Sequence, residues 1–136
     1  MNILKILTRN RIIGNVGEDA ICKYLKDRRY KIIHRNYVEH GHEIDIIAEN
    51  KEFICFVEVK TRTIGHENPK EERPAASINT AKQKALISAA STFVASSKKN
   101  KQFRFDVAEV FVTEEMTVSN ICYMEAAFDK DTAYRR

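Results

Sequence analysis

The chain has 136 residues, 43% of them hydrophobic and 31% charged, with a formal net charge of +4. That length suits one domain with one core rather than two, and in the near-average composition no like-charge run is long enough to read as a disordered tail. The slight excess of base favours a polyanionic partner without requiring one.

At the start, Ile3, Leu4, Ile6 and Leu7 are apolar, but Lys5, Arg9 and Arg11 interrupt them before a signal-peptide core forms. No apolar run approaches the ~20 residues needed to cross a bilayer. Ile13, Val16, Ala20, Ile21, Tyr24 and Leu25 recur at helical spacing and predict a first helix from about Ile12 to Arg28. Lys31 to Val38 is rich in β-formers, and Gly41 separates it from a second strand, Glu43 to Ala48. A tight turn at Asn50 and Lys51 leads into Phe53 to Lys60, whose continuous apolar start fits a central strand buried on both faces.

Thr61 to Ala76, with Gly65, Pro69 and Pro74, reads as a long loop. Loops of such length tend to be functional or mobile. A stripe of Ala81, Ala85, Ala89 and Phe93, widened by Leu86, Ala90 and Val94, predicts a second helix from Thr80 to Ser97. Two more strands follow, Phe103 to Val112 and Val118 to Met124. A helical crossover makes the third and fourth strands parallel, and the short turn makes the second and third antiparallel. The fold class is therefore α/β, a mixed central sheet flanked by helices. Cys22, Cys55 and Cys122 are odd in number and set in apolar stretches, which suits reduced buried thiols and a cytoplasmic location.

Glu58 and Lys60 are two apart on the third strand, hence on one face, at the end of a run otherwise fit for a dry core. If the hairpin turn holds an even number of residues, Glu43 lies opposite Glu58 and Asp45 opposite Phe56. Asp45 is then a diagonal neighbour of Glu58, ~7–8 Å away, a gap that two carboxylates close by sharing a cation. Magnesium, or manganese in its place, suits two carboxylates plus substrate phosphate. The Val59 carbonyl offers a further oxygen. Lys60 beside the ion would orient or help deprotonate the attacking water and offset charge on the phosphorane.

Taken together, Gly17-Glu18, His42-Glu43-Ile44-Asp45, Phe56-Val57-Glu58-Val59-Lys60-Thr61-Arg62, Lys82-Gln83, Arg104-Phe105-Asp106 and Ala127-Phe128 resemble the YraN-like family of small bacterial proteins, over nearly the whole chain. That family is similar in turn to archaeal Holliday-junction resolvases and the restriction-endonuclease-like superfamily. The superfamily's acid, then acid-x-Lys signature falls on Asp45, Glu58 and Lys60. The resemblance implies a nuclease fold, with Glu18 standing where resolvases carry an additional acidic residue and Gln83 at a later polar site position. His42 departs from the family, which usually has Gly there. The implied activity is Mg2+-dependent hydrolysis of DNA, branched or damaged DNA included. A homodimer is expected by analogy with resolvases. The alternative is a catalytically inactive nucleic-acid-binding accessory module in repair, recombination or uptake.

Structural explanations stand beside several of these residues. The N-terminal dipole of the first helix accounts for Glu18 as well as catalysis does. Thr80 and Gln83 have capping-box spacing. A cross-strand ion pair explains Arg104 and Asp106 as well as phosphate contact does. Lys26, Arg28, Arg29, Lys31, Arg35, Lys98, Lys99 and Lys101 are surface residues first and phosphate ligands second. Arg62, next to the proposed ion, is the best single candidate for phosphate contact. The histidines show no zinc-ligand spacing with the cysteines.

Overall fold

The computed structural model describes residues 2–64 and 78–134. The elements follow in the order α1 (Ile3–Asp27), β1 (Lys31–Glu39), β2 (His42–Glu49), β3 (Phe53–Thr63), α2 (Thr80–Ser97), β4 (Gln102–Val112), β5 (Val118–Phe128) and α3 (Lys130–Ala133). The strands form one sheet in the order β1-β2-β3-β4-β5. Only β3 and β4 are parallel, as the intervening helix requires. This is the α/β mixed sheet expected, compatible with a restriction-endonuclease-like fold. No described helix is long and apolar enough to cross a membrane.

Alternation along the central strands gives the sheet two apolar faces. On one, Ile54, Phe56, Phe105 and Val107 pack beneath Leu86, Ala90 and Phe93 of α2. On the other, Cys55, Val57, Ala108 and Val110 pack against Ile21, Cys22 and Leu25 of α1. Cys22 and Cys55 are buried as expected, whereas Cys122 is exposed, because β5 is an edge strand.

The first helix begins at Ile3 rather than near Ile12, with the Asn2 side chain accepting the Leu4 N–H at 2.8 Å. Lys5, Arg9 and Arg11 interrupt apolarity without interrupting the helix, since both residue types are good helix formers. Its first turns stand clear of the core, with Ile3 and Leu4 each 68% exposed. Asn79, not Thr80, caps α2, its side chain accepting the Lys82 N–H at 2.8 Å. The Gln83 amide instead donates to the Ile78 carbonyl at 3.1 Å. The expected loop persists as strand to Thr63, and Gly65 to Ala76 lies outside the described residues.

The turn between β2 and β3 is wider than expected. The Asn50 side chain accepts from the N–H groups of Glu52 and Phe53 at 2.9 and 2.7 Å, and the first pair beyond is Glu49 with Ile54. The ladder then runs only to Ile46 with Val57. Its continuation would set Asp45 against Glu58 rather than against Phe56. The slip keeps the parity of the strands, so the two carboxylates still share a face and are cross-strand neighbours instead of diagonal ones.

Candidate metal and nucleic-acid site

Past Ile46 and Val57 the two middle strands part, while β3 stays paired with β4 as far as Thr63 and β2 with β1 as far as His42. The acids gather at this fork. Asp45, half-buried, accepts the Val59 N–H through Oδ2 at 2.8 Å, so a side chain takes the place of a strand partner. Burial pushes the Asp45 carboxyl up to about 7, and the charge of Glu58 adds to it; the Val59 N–H opposes, and Glu18 and Glu43 raise it further.

Glu58 is only 6% exposed. Its Oε1 lies 3.4 Å from Lys82 Nζ, while its Oε2 is buried and accepts no hydrogen bond. Burial raises the Glu58 carboxyl above its ordinary range, Lys82 and Lys60 pull it back, and Glu43 pushes it up again. Lys60, on the same face of β3, bonds to no described side chain. Lys82 reaches the site from the first turn of α2 and remains half exposed.

Glu18 comes from α1. Gly17 lets that helix lie against β3 here, since a Cβ at this position would fall 1.9 Å from Thr61 Oγ1. Glu18 lies far inside α1, so the helix dipole does not explain it. Its Oε1 meets Arg35 Nη2 at 3.5 Å, and Arg35 Nη1 donates to Asp19 at 2.8 Å. Burial raises the Glu18 carboxyl, Arg35 lowers it, and Glu43 raises it. Asn36 of β1 was not foreseen. With its amide oriented by its neighbours, Nδ2 donates to Glu18 Oε1 at 3.3 Å and to Glu43 Oε1 at 2.9 Å. An Asn inside a run of β-formers is the signal that marks it.

Other expected contacts are engaged elsewhere. Arg62 Nε is tied to the buried Glu109 of β4, so it holds a structural ion pair beside the site. Gln83 serves the helix end. Arg104 and Asp106 pair within one strand rather than across two, through Nε and Nη2 at 2.9 Å each. Asp106, fully buried, also accepts from Tyr123 Oη at 2.6 Å and the Ala126 N–H at 3.0 Å. Lys99 and Lys101 both hold Glu49, at 2.6 and 3.1 Å. His42 is exposed at the head of β2.

Oxygen donors, a buried carboxylate atom without a partner and a neighbouring carboxyl fit a hard divalent cation at Asp45 and Glu58. Among the described residues no three His, Cys, Asp or Glu side chains form a metal-ligand group, so such an ion would take its other ligands from backbone, water or substrate.

Residues 17–110 match the model of a family described as "Uncharacterised protein family UPF0102". A UPF0102 protein of Geobacter metallireducens is 39% identical over 108 residues, 79% of this chain and 85% of that one. One of Caldicellulosiruptor saccharolyticus is 40% identical over 119 residues, covering 87% and 98% of the two chains. One of Alkaliphilus metalliredigens is 38% identical over 120 residues, covering 88% and 99%.

Proposed function

The chain belongs to the UPF0102 family, the YraN-like group its motifs resemble, and on that footing we propose that it is a Mg2+-dependent endonuclease hydrolysing DNA phosphodiester bonds. One observation carries the reading: Glu58 Oε2 is buried without a hydrogen-bond partner beside an Asp45 carboxyl whose ionisation is held back. A polar atom left so is expensive, and a site selected only for stability would not keep it. Asp45, Glu58 and the Val59 carbonyl would hold the ion. A bound Mg2+, or Mn2+, supplies Lewis-acid polarisation of a phosphoryl oxygen.

The chain's own groups do the rest. Lys60 is a cation without a described bonding partner on the face of Glu58, placed to orient the attacking water and to balance charge that grows on the phosphorus oxygens. Lys82, half exposed and 3.4 Å from Glu58 Oε1, would be within reach of a substrate phosphate at the same site. Glu18 and Glu43 add negative potential at the fork, which favours a cation and disfavours a bare phosphodiester without one.

The test is cleavage of single-stranded, duplex and four-way-junction DNA with Mg2+ or Mn2+, run beside Asp45→Asn and Lys60→Ala. Loss of cutting in both variants is the expected result, Lys60→Ala by about 10²–10³-fold. A second reading, a nucleic-acid-binding module without hydrolysis, draws on the absence of a three-ligand group among the described residues. Salt-sensitive binding with no cutting in either metal would select it.

A further inference from the structure

Four carboxylates gather at the fork: Glu58, Glu18 and Glu43 each raise the cost of ionising Asp45, and Glu43 does the same to Glu18 and Glu58. Something has to hold them together without cancelling the charge that a cation needs. A lysine bridging two of them would neutralise them and compete for their oxygens; a neutral donor would not.

Asn36 has the required geometry. It sits on β1 between Arg35, paired with Ile46, and Tyr37, paired with Ile44, so it lies level with Asp45 on the neighbouring strand. Its φ of 54° places it in the left-handed region, where Asn is among the few tolerated residues. The strand's alternation breaks there: His34 and Tyr37, three apart, both reach the Phe93 ring, at 5.7 and 5.4 Å. The same kink presents the amide to Glu18 of α1 and Glu43 of β2 together. Only Oε1 of each acid is engaged, by Asn36 and, for Glu18, by Arg35; each Oε2 has no partner among the described residues.

We propose that Asn36 is a positioning residue that clamps Glu18 and Glu43 by one oxygen each, so that their negative charge stays close to Asp45 and supports the waters of a divalent cation held there without either acid ligating it. The proposal rests on the metal reading above, and its test separates the two. Asn36→Gly keeps the left-handed backbone and removes only the amide, so the melting temperature should move by no more than about 4 °C. Mn2+ affinity, titrated without DNA, should weaken about tenfold, as loss of a ligand-orienting group does. In the wild-type protein the two Asn36 amide protons should resonate away from the positions of a free amide. Glu18→Ala should return one of them and Glu43→Ala the other. Amide signals indifferent to both substitutions overturn the clamp, whatever the metal does. Unchanged Mn2+ affinity in Asn36→Gly, with binding abolished in Asp45→Asn, overturns the positioning role and leaves the metal site standing. Absence of Mn2+ binding to the wild-type protein sinks the metal reading and the positioning role with it, while the amide signals still judge the bridge itself.

Discussion

Replacing Asp45 by Asn removes a charge from the fork yet keeps an oxygen to accept the Val59 N–H, so the hydrogen bond survives and the desolvated anion does not. The Asp45 carboxyl is raised from 3.8 to about 7. A raised acid holds its proton longer in the folded state than in the unfolded one. Its contribution to stability is therefore intact below about pH 4 and is lost as pH climbs towards 7. About three pH units at 1.36 kcal/mol each set a ceiling of ~4 kcal/mol. Coupling to Glu58, raised by its own burial, brings the expected gain for the variant to ~2–4 kcal/mol at pH 8. With a urea slope of ~2 kcal/mol/M, the unfolding midpoint of Asp45→Asn should lie ~1–2 M above wild type at pH 8 and coincide with it near pH 4. Millimolar Mg2+ should raise the wild-type midpoint and leave the variant's in place. Equal midpoints at both pH values, or a less stable variant at pH 8, would refute the claim that this carboxylate is held at a cost to the fold.

Gly17→Ala should destabilise by ~1–3 kcal/mol despite the better helix former, because the new methyl meets Thr61, whereas Gly14→Ala, with nothing within 4 Å, should stabilise by up to ~1 kcal/mol. Thermal melts of the two variants, with Thr61→Ala as a partial rescue of the first because its Cβ still lies 3.0 Å away, check both signs. Asp106→Ala should cost ~3–5 kcal/mol, since it leaves the nearly buried Arg104 without its bidentate partner, and chemical denaturation reads the loss. Arg62→Ala should lower stability by ~1–3 kcal/mol through the Glu109 carboxylate it abandons. DNA binding titrated against salt should then change in slope for Lys82→Ala by about one contact and stay unaltered for Arg62→Ala.

The fold was largely legible because periodicity and turn residues agree in most of the chain. Phe53 to Val57 announced a central strand by being apolar at every position, and Ala89 and Phe93, widened by Leu86 and Ala90, announced the helix above it, although Ala81 at the start of that stripe is exposed. Register was less legible, since Asn50 and Lys51 suggest a tight turn while the Asn50 side chain builds a wider one from Glu52 and Phe53. The acid pair survived that error because a slip of even length preserves the face. Partnerships between distant residues were not legible. Nothing local to Arg62 reveals Glu109, which lies on the neighbouring strand, and nothing local to Glu18 reveals that Gly17 brings its helix up to Thr61. The start of α1 was misplaced for another reason: apolar residues on several sides of a helix give no clean stripe to read, and here they face away from the core.

A sheet that parts in the middle behaves as two prongs on a common hinge, β1 with β2 on one side and β3 with β4 and β5 on the other. The short shared ladder, from Ile46 to Glu49, resists their spreading, and beyond it the Val59 amide is latched by one carboxylate. An ion gripping Asp45 and Glu58 would rivet the prongs at their open end, so occupancy should stiffen the molecule well away from the ligands. Slower hydrogen–deuterium exchange along both prongs on adding Mg2+, greatest at Val59, would be the mechanical signature of that rivet.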